Sequence, residues 1–237
     1  MTDSTAPDLD LAVDTLASNP PATDAPATVS LSQSIIDAAL AMSFLEVIAV
    51  ILGFAYLILA MRQNSLCWYA AFGSTAIFVY LFFDVSLLME SALNIYYLVM
   101  AVYGWWVWNH GGNDNTSLPV TTWSATRHAL AIGGILGMTF ASGFLLSEHT
   151  TAVLPYLDSF TTWGAILTTY MVAKKVLENW IYWIVIDLIS VYLYVDRALY
   201  LVALQMAIYV IMCFFGYKAW LDDYRSEQAA DARLQNA

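Results

Sequence analysis

Seven long apolar stretches constrain this sequence more than any other feature. They cover approximately residues 45–62, 66–84, 91–109, 128–147, 152–174, 179–196 and 199–218. Each has about the length that a helix needs to cross a ~30 Å hydrocarbon core. Because only helices and closed barrels satisfy every backbone group in lipid, the stretches predict seven transmembrane helices. The composition agrees, since 60% of the 237 residues are hydrophobic and only 11% are charged.

The two ends of the chain differ from this apolar body. Residues 1–30 are acidic, rich in Ala, Pro and Thr, and typical of a disordered tail. Residues 31–44 have apolar residues at helical spacing, which predicts a short interfacial helix. Residues 222–237 form a second polar tail. Most of the net charge of -11 lies in these ends, so the charge indicates little about partners.

The basic residues indicate the orientation of the chain. Of the eight Lys and Arg residues, only Arg197 falls on the same predicted side as the N-terminus. The positive-inside rule therefore predicts an N-terminus outside the cell and a C-terminus in the cytoplasm.

An internal repeat divides the apolar body. A register of 112 residues pairs Glu46 with Asp158, Trp68 with Trp180, Asp84 with Asp196, Tyr97 with Tyr209, Gly104 with Gly216 and Trp108 with Trp220. It predicts a three-helix repeat over 45–109, a loop and linker helix over 110–151, and a second repeat over 152–221. The linker restores the direction of entry, so the repeats are parallel. This is a plan known among transporters, with the substrate between the repeats; the alternative is a bundle that transports nothing.

Polar residues within the stretches predict a binding site. The sixth stretch carries a stripe of two indoles, a carboxylate and further polar side chains, namely Asn179, Trp180, Trp183, Asp187, Ser190 and Tyr194. The third and seventh add Asn94, Tyr97, Gln205 and Tyr209. A carboxylate at membrane depth is by default a functional hypothesis, and indole faces suit a flat cationic ring. The alternatives to a binding site are that the polar side chains join neighbouring helices and that the tryptophans belong to the aromatic belt at the membrane interface.

Other kinds of chemistry find no support in the sequence. There is no Gly-x-x-x-x-Gly-Lys-Ser/Thr loop for a nucleotide. The three histidines lie in or beside loops on both predicted sides, and the two cysteines lie far apart. The sequence therefore predicts neither an enzyme, nor a metal site, nor a cofactor.

Four segments carry a resemblance to a known family. Residues 45–53 (LEVIAVILG), 96–108 (YYLVMAVYGWWVW), 178–194 (ENWIYWIVIDLISVYLY) and 199–205 (LYLVALQ) resemble the PnuC family of nicotinamide riboside transporters. The likeness covers about residues 44–221, and its most specific part is the Trp-x-x-Trp-x-x-x-Asp stretch.

The resemblance implies a SWEET-like fold of three helices, a linker helix and three helices, assembled as a homotrimer in the bacterial inner membrane. It implies facilitated diffusion of nicotinamide riboside, a vitamin B3 form used in NAD biosynthesis, with retention by a cytoplasmic riboside kinase. By this likeness Trp180 and Trp183 match substrate-stacking tryptophans, and Asn94 and Gln205 match polar positions that face a central cavity. A thiamine transporter of the same fold and a non-transporting membrane receptor or scaffold are the alternatives.

Overall fold

The computed structural model describes residues 30–84, 88–112, 118–150 and 153–235 of the chain. Over these residues it contains eight α-helices, α1 (Leu31–Ala41), α2 (Phe44–Met61), α3 (Cys67–Asp84), α4 (Leu88–His110), α5 (Ala125–His149), α6 (Pro155–Ala173), α7 (Asn179–Asp196) and α8 (Tyr200–Gln235). The acidic tail predicted over 1–30 lies outside the described residues, apart from Ser30.

Short polar residues start the helices at the N-terminal end of the described chain. Ser30 caps α1 by accepting from the backbone N–H of Gln33, and Ser43 forms a reciprocal capping box with Glu46 at the start of α2. The segment predicted as an interfacial helix over 31–44 thus contains the helix Leu31–Ala41, which the extended backbone at Met42 and Ser43 separates from α2. Its position at the membrane interface stays a prediction. α1 packs against α8.

Three helices end in sharp corners without glycine. Gln63 follows α2, Lys175 follows α6 and Ala198 follows α7, with left-handed φ values of 50°, 49° and 56°. Such a residue lets the chain turn back directly after a helix, at a conformational cost for any residue with a Cβ. Gln63 and Lys175 occupy corresponding positions 112 residues apart.

Within the described residues, four helices are long and apolar enough to cross a membrane by length and composition. They are Phe44–Met61, Cys67–Asp84, Ala125–His149 and Tyr200–Ala230. The helices α4, α6 and α7 have 23, 19 and 18 residues, so they have the length, but their mean hydropathy is lower. The seven helices α2 to α8 thus correspond to the seven predicted stretches, while their placement in the membrane stays a prediction.

The helices pack in a crosswise pattern. α3 lies against α2 and α4, and α7 lies against α6 and α8. The two groups meet where α4 contacts α6 and where α2 contacts α8. The linker α5 packs on α6. Each contact of α2, α3 and α4 has a counterpart among α6, α7 and α8.

The tryptophans at one end of the bundle pack in corresponding pairs. Trp68 covers Gly104, where an added Cβ would come within 2.3 Å of the indole, and Trp180 covers Gly216, where it would come within 2.6 Å. Only glycine lets these helices approach so closely. The rings of Trp68 and Trp108 lie 5.4 Å apart, as do those of Trp180 and Trp220. We call this end, which includes Gln63 and Lys175, the Lys175 end of the bundle.

Helix α8 extends well beyond the bundle. Its 36 residues span roughly 54 Å at 1.5 Å per residue, against a hydrocarbon core of ~30 Å. The segment predicted as a tail over 222–237 is therefore helical to Gln235. Asp223 on this extension accepts a hydrogen bond of 2.7 Å from the Gln63 amide.

Candidate functional site

A cavity of about 220 Å³ lies between α2, α6, α7 and α8. Its lining residues are Gly53, Tyr56, Leu57, Ala60, Val172, Asn179, Trp180, Trp183, Asp187, Met206, Tyr209 and Cys213. Five of the ten residues predicted from the sequence are among them, and four of these five come from α7. Four members of the predicted stripe on this helix therefore line one cavity within the bundle.

A second cavity of about 160 Å³ adjoins the first. Gly53, Tyr56 and Trp183 line both cavities. The second is completed by Trp68, Ala71, Ser74, Thr75, Tyr97 and Thr169, so Tyr97 is a sixth predicted residue at the site. Trp183 thus forms part of the wall of both cavities. This position suits an indole that stacks on a flat ligand.

Helix α8 contributes Tyr209, whose side chain contacts Gln205, Phe54 and Gly53. Gln205 donates its side-chain N–H to the Tyr209 hydroxyl at 2.9 Å. The ring of Phe54 meets that of Tyr209 edge to face at 5.2 Å. A Cβ on Gly53 would lie 3.0 Å from the same hydroxyl, so glycine leaves this room. Tyr209 therefore has a set position on the cavity wall.

Asp187 is a buried acid on the cavity wall. Only 5% of the residue is exposed. Among the described residues it makes no hydrogen bond and no ion pair, since the ion pairs there join His128 to Glu178 and Arg197 to Asp158. A buried carboxylate without a partner is costly. A cationic ligand in the cavity would supply that partner.

The helices α3 and α7 differ at the positions that carry chemistry. Asn179, Trp183 and Asp187 stand on α7, and the corresponding positions on α3 are Cys67, Ala71 and Thr75. Ala71 and Thr75 line the second cavity. Small residues on one side therefore leave room beside the large and charged residues on the other.

Four predicted residues do not line either cavity. Asn94, Gln205, Ser190 and Tyr194 are partly buried, and of these Gln205 reaches the site indirectly, through Tyr209. Asn94 and Tyr194 have interactions with other residues. A direct contact of these four side chains with ligand stays a prediction.

Sequence reasoning missed several wall residues. Tyr56, Leu57, Ala60, Val172 and Met206 carry no charge or amide that would single them out in an apolar helix. Tyr56 had one available signal, an aromatic hydroxyl in the most apolar helix. The remaining four become visible only through packing.

Other features of the described chain do not compete as the site. A groove of about 350 Å³ on the α3–α4 surface is lined by Trp68, Tyr69, Phe72, Ala101, Val102 and Trp105. It is larger, but it holds no charged or amide side chain. Within the described residues no group of three or more His, Cys, Asp or Glu side chains could hold a metal ion.

Comparison with known proteins identifies the family of the chain. Residues 43–222 match the family of nicotinamide mononucleotide transporters. A nicotinamide riboside transporter, PnuC of Escherichia coli (strain K12), is 22% identical over 213 residues, which cover 78% of this chain and 87% of the relative. A riboflavin/roseoflavin transporter, RibM of Streptomyces davaonensis, is 24% identical over 179 residues, covering 74% and 83%.

A solved structure shares the fold. The crystal structure of the vitamin B3 transporter PnuC superimposes with a TM-score of 0.64 at 18% identity, covering 83% of this chain and 88% of that one. The relatives are transporters and not enzymes, so the prediction of a non-enzyme is confirmed, as is the resemblance read from the sequence. With the match covering most of the chain, the protein belongs to the nicotinamide mononucleotide transporter family.

Proposed function

We propose that the protein carries a flat cationic nucleoside, nicotinamide riboside in the first place, across the membrane. The observation that supports this most directly is Asp187, a buried carboxylate without a partner among the described residues, on the wall of a cavity that also presents Trp183. The pyridinium ring would lie against the indole, with its charge near the carboxylate. The ribose would lie toward Tyr209 and Gln205.

The proposal includes the predicted architecture. Seven transmembrane helices would form two parallel three-helix repeats around the linker α5, as in the SWEET-like plan. Corresponding contacts in the two halves support it. The contact of α4 with α6 corresponds to that of α8 with α2, and the contact of Trp68 with Gly104 corresponds to that of Trp180 with Gly216. By the family resemblance we extend the proposal to a homotrimer in the bacterial inner membrane and to functional coupling with a cytoplasmic riboside kinase.

Orientation has a direct test. With the N-terminus outside, a cysteine at Ser30→Cys should react with an impermeant thiol reagent from outside intact cells, and one at Ala230→Cys only after the membrane is opened. Cys67 and Cys213 are buried and free, so their background labelling should be low. Labelling of both positions from the same side would contradict the seven-span topology.

Facilitated diffusion is sufficient for uptake of a cation. A single charge that crosses 100 mV gains about 2.3 kcal/mol, which corresponds to about forty-fold accumulation. A negative cytoplasm therefore draws the cation inward without a coupled ion. Nicotinamide riboside should enter protein-loaded vesicles saturably with no ion gradient, and faster when the interior is negative. A rate that collapses when a proton or sodium gradient is removed at fixed voltage would exclude this mechanism.

A second candidate is a larger neutral vitamin. RibM, the riboflavin/roseoflavin transporter of Streptomyces davaonensis, is about as similar to this chain as PnuC. The adjoining second cavity would have to hold part of such a ligand. Uptake of riboflavin without uptake of nicotinamide riboside would favour this candidate. Entry of thiamine alone would favour a thiamine transporter, and binding without entry a receptor.

A further inference from the structure

Asn179 carries a buried oxygen that lacks a donor. The residue is fully buried at the first position of α7 and lines the cavity. Its Nδ2 donates to the carbonyl of Val176 at 2.7 Å, which fixes the orientation of the amide because an oxygen could not occupy that place. Its Oδ1 has no hydrogen-bond partner among the described residues. Leaving a buried acceptor unsatisfied costs free energy.

This missing partner has no counterpart in the other half of the chain. The indole N–H groups of Trp68 and Trp180 also lack acceptors, but they occupy corresponding positions in the two halves and both cover a glycine. The missing acceptors of these two N–H groups therefore result from the packing of each indole on its glycine. At the position that corresponds to Asn179 the first half has Cys67, which is outside both cavity linings. The unsatisfied Oδ1 thus belongs to a residue of the cavity wall, and the corresponding position of the first half has no such acceptor.

The position of Asn179 along α7 indicates which part of a ligand it meets. Asn179 stands at the Lys175 end and lines the same cavity as Ala60 and Val172. Asp187 is eight residues further, which is roughly 12 Å along the helix, and Trp183 lies between them. A ligand whose cationic centre lies near Asp187 and whose ring stacks on Trp183 therefore directs a ring substituent toward Asn179.

We propose that Asn179 is a specificity-determining residue that accepts a hydrogen bond from a carboxamide N–H on the ring of the substrate. The inference rests on the proposed function and deepens it, because it names the substituent that the site requires. A primary carboxamide supplies the missing donor. A methyl ketone of nearly the same shape and charge does not, and a ring carboxylate would place two acceptors against Oδ1.

The test compares two ligands on two variants by equilibrium binding to the purified full-length protein. Nicotinamide riboside and 3-acetylpyridine riboside have the same charge and sugar. They differ only at the carbonyl group on the ring, which carries NH₂ in the first and CH₃ in the second. The wild-type protein should bind the amide about tenfold more tightly, which corresponds to about 1.4 kcal/mol. Asn179→Ala should reduce this ratio to about one, because the acceptor is then absent.

A matched control separates the site from general packing. Cys67→Ala alters a buried residue at the corresponding position of the first half and should keep the wild-type ratio. The ratio is measured on folded protein, so a loss of stability in Asn179→Ala does not affect it. A ratio near one in the wild-type protein, or an unchanged ratio in Asn179→Ala, would overturn the inference while uptake of nicotinamide riboside still supports the proposed function. If neither riboside binds the wild-type protein, both fail.

Discussion

The indole N–H of Trp220 donates to the carbonyl of Ala60, 3.0 Å away and 160 residues earlier in the chain. Trp108 makes the corresponding bond of 3.1 Å to the carbonyl of Val172. Both acceptors lie in the last turn of a helix and both line the cavity. Each half of the chain thus satisfies a buried donor with an acceptor of the other half, at the Lys175 end of the cavity.

Trp220→Phe should destabilise the protein. It removes a buried hydrogen bond, which contributes about 0.5–1.5 kcal/mol, while the Ala60 carbonyl keeps the backbone N–H of Gln63 at 3.0 Å. The melting temperature in detergent should fall accordingly. Trp106→Phe is the control, since Trp106 is 55% exposed and its replacement should change the melting temperature little. Equal effects of the two substitutions would show that the buried bond contributes nothing specific.

Trp183→Ala should weaken riboside binding without abolishing folding. Trp183 lines both cavities, and a stacked aromatic contributes about 1–3 kcal/mol per ring by analogy with base stacking. Trp183→Phe keeps a ring face and should lose much less affinity. Calorimetric titration of both variants measures the difference. A similar loss in both would indicate that the indole fills space and does not stack on the ligand.

Asp187→Asn tests the recognition of charge. The substitution keeps the shape of the side chain and removes the negative charge. It should weaken binding of the cationic riboside by about tenfold, within the range for hydrogen bonds and pairs that involve charge, and affect a neutral analogue with a reduced ring much less. Asp196→Asn, an exposed change on the same helix, is the control. An equal loss for both ligands would show that Asp187 braces the helices.

Lys175 should make stability depend on pH. Burial lowers the pKa of its amine from 10.5 to about 8, despite the nearby carboxylates of Glu227 and Asp223. Below pH 8 both folded and unfolded chains carry the charge, so the cost of burying it is fully present. Between about pH 8 and 10.5 the folded chain has released the proton that the unfolded chain still holds, so stability rises.

The contribution of this amine can be isolated by substitution. The Lys175 Nζ lies 4.8 Å from the centre of the Trp108 ring and donates to Gln63 at 3.0 Å, so Met is a fitting apolar replacement. Melting temperatures of Lys175→Met should lack the wild-type rise between pH 8 and 10.5. Lys174→Met, a change at the neighbouring and more exposed residue, should retain it. A rise in both variants would assign the effect to other groups.

The positions of most helices can be predicted from the apolar stretches of the sequence, whereas the residues that line the cavity cannot. The helices α2 to α7 lie close to the predicted limits, because length and hydropathy suffice to locate a helix that buries its own backbone groups. α8 begins as predicted but continues to Gln235 instead of ending near residue 218. On α7 the spacing places Trp180, Trp183 and Asp187 on one face, and all three line the same cavity, while their contact with ligand stays a prediction. Which partners complete that face depends on how the helices cross, so Tyr56 went unnoticed and Asn94 was expected at a cavity that it does not line.

The contrast between α3 and α7 bears on how such a protein can change its cargo. Corresponding tryptophans and glycines hold both halves together, whereas Asn179, Trp183 and Asp187 have Cys67, Ala71 and Thr75 as counterparts. On the proposed function, architecture and selectivity are separated in this way: both halves keep the tryptophan–glycine contacts, and the residues proposed to select the ligand stand on α7. A new substrate would then require changes along one face of a single helix, while the bonds that join the halves stay untouched.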